Sequence, residues 1–390
     1  MNQSADVLVV GGGVFGASAA LELRRRGFEL RLIDPGPLPH PEAASTDISK
    51  VVRMDYGSDE FYMQQMELSL GGWREWNQAW EEQLFHETGF LMLTRSAMEP
   101  GSYEGDSFAL LQARGHRVER LDPDLIEKRF PAWAPGVYVD GYFNPQGGWA
   151  ESGRVVEALV AECRRAGVNV QVGSQARRLI RGGDRVLGVS TDRADLHAGA
   201  LVLAMGAWTP PLLPELDGHI WPVAQPVFHF RVPQISCYQE PEFPTWTADV
   251  SETGWYGFPA LDDGTLKIAN HGPGTRLPPD PGVDVASERE ADFRRFLSES
   301  LPGLAAAPLL RTRTCYYADS WDGDFYITPV PGLERLFVAG GGSGHAFKFA
   351  PLLGRWIADA VEGQRNPILE RFAWREPGQR RVEDARHVEL

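Results

Sequence analysis

The chain has 390 residues, 43% of them hydrophobic and 23% charged, so it is long enough for two cores and is neither a disordered nor a fibrous sequence. Its 38 Lys and Arg against 53 Asp and Glu leave a net charge of -15, which excludes a broad basic surface for nucleic acid while permitting a local cationic pocket for a small anion. Three well-separated cysteines, Cys163, Cys237 and Cys315, exclude a disulfide framework and closely paired metal ligands.

The first predicted strand, Asp6 to Val10 ("DVLVV"), is a continuous apolar, β-branched run of the kind buried on both faces of a parallel sheet. It begins without a basic, then apolar, leader, no stretch reaches the length of a membrane helix, and the closing "RHVEL" is not a peroxisomal address, so the expected location is cytoplasmic. After the strand, Gly11, Gly13 and Gly16 complete G-x-G-x-x-G, with Val14 and Phe15 between the last two. The first glycine permits a tight turn, the second a close backbone approach to a pyrophosphate, and the third close packing of the next helix on the strand. That helix opens on small residues, aims its dipole at the phosphates and stops at Gly27. The second strand, "LRLID", ends in Asp34, where a carboxylate accepts from the adenosine ribose hydroxyls and repels the extra phosphate of NADP. The alternative to a dinucleotide site is a glycine-rich turn without ligand, but strand, glycines, helix, strand and acid occur here in order. FAD and NAD present the same ADP half, and the motif does not separate them.

Further along, Gly167 to Trp208 reads as strands, a turn at Gly182 and Gly183, and an apolar strand closing on "MGAW", which brings Gly206 and Trp208 back to the first sheet. Near the end another apolar strand, a glycine-rich turn containing Gly342 and Gly344, and an amphipathic helix follow. Three separated segments therefore build one nucleotide-binding lobe of α/β, Rossmann-like class: 1–84, 145–220 and 311–375. The intervening 85–144 and 221–310, rich in aromatics and proline, suit a second, substrate lobe on a mixed or antiparallel sheet. The tail, 376–390, is charged and nearly devoid of large apolar residues, and is expected to be loosely held.

Among the cysteines, Cys163 shares a helical stripe with Val155 and Leu159 and reads as a core thiol; Cys237 has no recognisable partner and reads as a small buried hydrophobe. Cys315 differs. If "LLRTRTCYY" is extended, Arg311, Arg313 and Cys315 alternate onto one face, and nearby cations favour the thiolate. In "GWYGFPALDDGTLKIANH", a predicted hairpin, Lys267 and His271 share parity and point to one face of an unbroken strand.

Five stretches, "GGGVFG", "ASTDISKVVRMDYG", "GWYGFP" with "LKIANH", "TCYYADSWDGDF" and "SGHAFKF", lie in the order and approximate spacing of a known group. On them the chain resembles the monomeric sarcosine oxidase branch of the D-amino acid oxidase-like FAD-dependent flavoproteins, over nearly its whole length. The resemblance implies FAD as cofactor, near Ser45, Lys50 and Lys348 as well as the glycines, and a covalent bond from Cys315 to the isoalloxazine 8-methyl carbon. It implies that Arg53 and Lys348 hold a substrate carboxylate, a task suited to a guanidinium fork and a second cation. It places Lys267 near flavin N5, where a fixed charge assists oxygen reduction, His271 along the amine pocket, and Tyr256 closing on substrate. The ordinary readings are a surface ion pair of Arg53 with Asp55 or Asp59, a solvated Lys348, an exposed hairpin Lys267, a core His271 and a packing Tyr256. Lys50 stands where the sarcosine oxidase pattern has arginine; with "NPQGGWAESG" this leans toward the fructosyl-amino-acid, saccharopine and pipecolate side of the group. The implied reaction is oxidation of the C-N bond of a secondary amino acid to an imine, oxygen becoming hydrogen peroxide. The implied partners are that small molecule and oxygen, with no nucleic acid, no membrane and no metal. A dehydrogenase serving a carrier or quinone, a flavin-binding protein without amine chemistry, and an NAD-dependent dehydrogenase are the alternatives.

Overall fold

The computed structural model describes residues 5–280, 289–381 and 384–387; parts of the expected lobes and tail at 1–4, 281–288, 382–383 and 388–390 lie outside the described residues. Strand Ala5–Val10 forms where the sequence predicts it, its four apolar residues from Val7 to Val10 at most 3% exposed. It lies between Leu30–Asp34 and Asp195–Leu203, parallel to both. Asn169–Val172 extends the sheet parallel to Leu30–Asp34, and Leu336–Gly340 pairs parallel with Asp195–Leu203, so three distant parts of the sequence share one eight-stranded sheet. Helix Val14–Arg25 covers it and packs against Ala350–Glu362 so closely that a Cβ on Gly354 would come within 2.5 Å of the Ser18 carbonyl oxygen.

The second, nine-stranded sheet is antiparallel except where Thr245–Ala248 runs parallel to Phe90–Thr94. The predicted hairpin is present, Trp255–Gly257 pairing antiparallel with Thr265–Asn270. A third, small antiparallel sheet of Lys50–Val52, Gly148–Ala150 and Phe85–His86 lies beside Arg53. Strand Leu309–Ser320 pairs along its length with Ile220–Arg231, so the expected divisions at 220/221 and 310/311 both fall inside one continuous ladder. That ladder, part of the nine-stranded sheet, carries Cys315 and Tyr317.

Two expectations need correction. Cys237 is exposed, because it sits in the short turn Ile235–Cys237 outside either core. The tail is exposed over 376–381 and at Asp384 but is held at one point: Ala385 is 0% and Arg386 4% exposed, because Arg386 finds a buried carboxylate partner in Asp319. Cys163, by contrast, is a core thiol that donates to the Ala17 carbonyl over 3.3 Å, its pKa pushed up by burial to about 12.

Candidate active site

At the C-terminal end of the parallel strands Gly11 adopts φ +101°, and a Cβ there would lie 2.6 Å from the Ala204 carbonyl oxygen. Gly16 is equally constrained, since its Cβ would overlap the Gly11 carbonyl oxygen. Gly16→Ala is therefore expected to push the helix off the strand, and the purified variant should carry little flavin absorbance per protein. Asp34 accepts from the backbone N-H of Gly12 at 2.8 Å and of Gly36 at 3.0 Å; burial pushes its carboxyl up, and these donors and His40 partly offset that. Ser45 Oγ accepts from Val14 N at 3.3 Å.

Gly11, Gly13, Val14, Phe15, Asp34, Ser45, Lys50, Gly206, Trp208, Gly342 and Gly344 line a single cavity of about 550 Å³, well within the range of cofactor sites. Gly16 packs behind it. One end has a carboxylate and a helix N-terminus beside glycines that leave room for a pyrophosphate, and the other reaches Tyr317. These residues fit a dinucleotide with a ring system beyond its ADP half.

The remaining predicted residues do not line this cavity; they lie behind its Lys50, Tyr317 and Gly344 and in a cluster around Tyr56. The Cys315 side chain is buried, and the cation beside its sulfur is Lys50, with Nζ 3.9 Å from Sγ. Arg313, expected to serve the thiol, instead donates to the Ala43 and Thr46 carbonyls and faces Asp47 at 3.5 Å. Tyr256 hydrogen-bonds with Tyr317; burial first, then the neighbouring Cys315, push its phenol well up. The rings of His271 and Tyr317 lie 5.9 Å apart, and a Cβ on Gly344 would overlap the Tyr317 ring and sit 2.9 Å from His271 Cε1. The glycine is thus required where these walls meet.

Lys267 is 1% exposed rather than solvated on a hairpin. Its ammonium donates to the Ser49 carbonyl at 2.6 Å and lies 2.7 Å from Asp47 Oδ2. Burial lowers its pKa and Asp47 opposes that, leaving it at about 8. Burial also opposes the Asp47 charge, yet Lys267, a hydrogen bond with His229, Lys50 and Arg313 outweigh it and hold the carboxyl well below its usual range.

Arg53 is 5% exposed, its guanidinium donating to the Asp55 carbonyl and to Tyr103 Oη and lying 5.6 Å from the Tyr56 ring centre. The surface ion pair with Asp59 does not form; Asp59 pairs with Arg371 at 2.6 Å. Asp55 is a buried neighbour, its carboxyl raised by burial and pulled back by Arg53 and the Tyr142 hydroxyl. Lys348, also buried, donates to Tyr56 Oη at 2.8 Å with Nζ 4.4 Å from the same ring centre. Two buried cations therefore lie against one tyrosine. Tyr56 in turn hydrogen-bonds His345 Nδ1 at 3.0 Å.

Sequence reasoning missed Asp47, Tyr56, Tyr103, Tyr317 and His345 as members of this assembly. Asp47, Tyr56, Tyr317 and His345 lie inside the quoted stretches; Tyr103 stands on a separate helix, Tyr103–Ala113, with no nearby motif to mark it.

Two large sheets and a cavity that fits a dinucleotide define a dinucleotide-binding protein. Residues 6–360 match the family model described as FAD dependent oxidoreductase (DAO), and the chain belongs to that family. It is 26% identical over 383 residues to the monomeric sarcosine oxidase of Bacillus sp. (strain B-0618), covering 97% of each chain. It is 29% identical over 365 residues to the N-methyl-L-tryptophan oxidase of Salmonella heidelberg (strain SL476), covering 92% of this chain and 95% of the relative. Among solved structures, the fructosamine oxidase Amadoriase II of Aspergillus fumigatus, in complex with FSA, superposes with a TM-score of 0.86 at 26% identity, covering 100% of this chain and 94% of the other. Among the described residues no helix is long and apolar enough to cross a membrane.

Proposed function

We propose that the chain oxidises the C-N bond of a secondary amino acid to an imine, which water hydrolyses, with oxygen reduced to hydrogen peroxide. The observation that carries this reading is the pair of buried cations, Arg53 and Lys348, both held against Tyr56. A guanidinium fork and an ammonium held beside one tyrosine match a carboxylate in charge and in hydrogen-bonding geometry. The names of the relatives, oxidases of sarcosine, N-methyltryptophan and fructosamines, support the same chemistry. In this reading residues 1–84, 145–220 and 311–375 hold the cofactor, 85–144 and 221–310 hold the substrate, and the protein works in the cytoplasm.

FAD, when bound, takes a hydride equivalent from the carbon beside nitrogen and returns two electrons to oxygen. The protein supplies placement. Arg53 and Lys348 fix the carboxylate so that the reacting C-H is held at a near-attack distance. His271 and Tyr317 form the facing wall, and Gly344 leaves room between them. Tyr256 and Tyr317 stay protonated, since burial pushes both phenols well up, so they orient rather than deprotonate. An amine entering neutral needs no protein base. Lys267 provides the fixed cation where oxygen is reduced.

Oxygen uptake with stoichiometric hydrogen peroxide, measured over a panel of N-methyl, cyclic and N-fructosyl amino acids, tests the reading. Reduction of an artificial acceptor without oxygen uptake would replace the oxidase by a dehydrogenase, and a flavin unbleached by every candidate under anaerobic conditions would remove amine chemistry altogether. Cys315 is the proposed tether, and acid precipitation should leave the flavin in the pellet. Cys315→Ala should release it to the supernatant; free flavin from the unmodified protein would leave Cys315 a packing residue.

A further inference from the structure

The described end of the tail lies against the site just proposed. Arg386 places Nη1 2.6 Å from Asp319 Oδ2, with both side chains only 2% exposed, and donates through Nε to the Gly272 carbonyl at 3.0 Å. Its guanidinium sits 5.8 Å from the Tyr317 ring centre. Gly272 directly follows His271, so Arg386 holds the His271–Tyr317 wall. Two residues earlier, Asp384 lies at the other wall: a Cβ on Gly57 would be 3.5 Å from Asp384 Oδ2 and 3.1 Å from the Tyr103 ring, whose hydroxyl accepts from Arg53. Between the two, Ala385 is 0% exposed within the core cluster that contains Tyr56 and Tyr103.

Two residues of extended chain span only about 7 Å. Residues 384–386 therefore reach from the Tyr103 side, where Arg53 donates, to the His271–Tyr317 side in a single short crossing. What holds them there is polar and local. Asp319 is buried on strand Leu309–Ser320, and its Oδ1 has no hydrogen-bond partner among the described residues; Arg386 supplies the balancing charge. Arg386 also donates to the Pro273 carbonyl and Ala385 packs in the core, but the Arg386–Asp319 pair is the buried charge contact of the crossing, and removing it weakens the closed arrangement.

We propose that residues 384–386 are a strap across the substrate chamber, latched by the Arg386–Asp319 pair, which lifts before a carboxylate substrate enters. The proposal rests on the reading of Arg53 and Lys348 as the carboxylate site. A strap closed most of the time reduces the competent fraction and slows entry in proportion.

The test is the association rate of benzoate, a small carboxylate probe, followed by stopped-flow flavin absorbance in three FAD-loaded proteins. These are the full chain, a chain ending at Arg381, and the full-length double variant Arg386→Met/Asp319→Asn, which removes the latch without leaving a buried charge. With the strap closed about nine-tenths of the time, the shortened chain should bind benzoate about tenfold faster, with the double variant also faster than the full chain. Equal association rates in all three overturn the strap, and the double variant keeps the test decisive if the shortened chain does not fold. Adding Arg53→Met to the double variant separates the two readings. Loss of benzoate binding locates the probe at the proposed carboxylate site, whereas undiminished binding overturns that site and the strap over it.

Discussion

Arg53→Met is expected to lower kcat/KM for a carboxylate-bearing amine by roughly 30- to 1,000-fold, the equivalent of about 2–4 kcal/mol for removing one member of a desolvated charge pair. Methionine keeps much of the side-chain bulk, so the Tyr56 and Tyr103 rings that face the guanidinium at 5.6 and 5.8 Å retain an apolar neighbour. The loss should divide between KM, as the carboxylate binds less tightly, and kcat, as the reacting carbon is less well placed. Lys348→Met should act in the same direction with a smaller effect, because a single ammonium lacks the guanidinium fork. Asp55 is the complication, since Arg53 is one of the groups that pull its buried carboxyl back toward ionisation. Part of any loss could therefore be structural. An amine substrate without a carboxylate separates the two causes: if it loses activity in Arg53→Met as severely as the amino acid does, Arg53 is not reading a carboxylate.

The nucleotide half of the molecule was legible because its chemistry is local. Gly11, Gly16 and Asp34 stand within one strand-helix-strand unit, and the requirement at each is a property of the backbone beside it: a positive φ, a missing Cβ, a carboxylate facing two N-H groups. Lys267 and His271 were found because strand parity is also local. Asp47 was not, although it lies six residues before Arg53, because nothing in sequence spacing tells that strand Thr265–Asn270 will deliver a lysine to it from 220 positions away. The reading of Cys315 shows the same limit. Alternation put Arg313 on the side of the thiol, but the loop carbonyls of Ala43 and Thr46 compete for that guanidinium and Lys50 takes the place beside sulfur. Arg386 went unnoticed for a related reason. A charged tail looks solvated by composition, and only the fold reveals that a buried Asp319 is waiting for it.

Lys267→Met is expected to slow reoxidation by oxygen by roughly 10²- to 10³-fold, the range seen when one preorganised electrostatic contact is removed, while reduction by substrate changes much less. The asymmetry follows from where charge develops. Substrate oxidation moves a hydride equivalent out of a neutral amine, whereas the first electron reaching oxygen creates a negative charge that a fixed cation stabilises. With the Lys267 pKa held down to about 8, the sign of the pH dependence is set: the protonated, active form predominates below that value, and the oxygen step should slow as pH rises through it. Asp47→Asn removes the charge that holds this pKa up, so the same fall should begin at lower pH. Lys267→Met should show no such fall. Mixing anaerobically reduced protein with oxygen across pH 6 to 10 measures each profile directly. If the variant reoxidises as fast as the parent, Lys267 is a structural partner of Asp47 and Ser49; if only the pH dependence disappears while the rate stays high, another cation carries the oxygen step, with Lys50 beside Cys315 the next to replace.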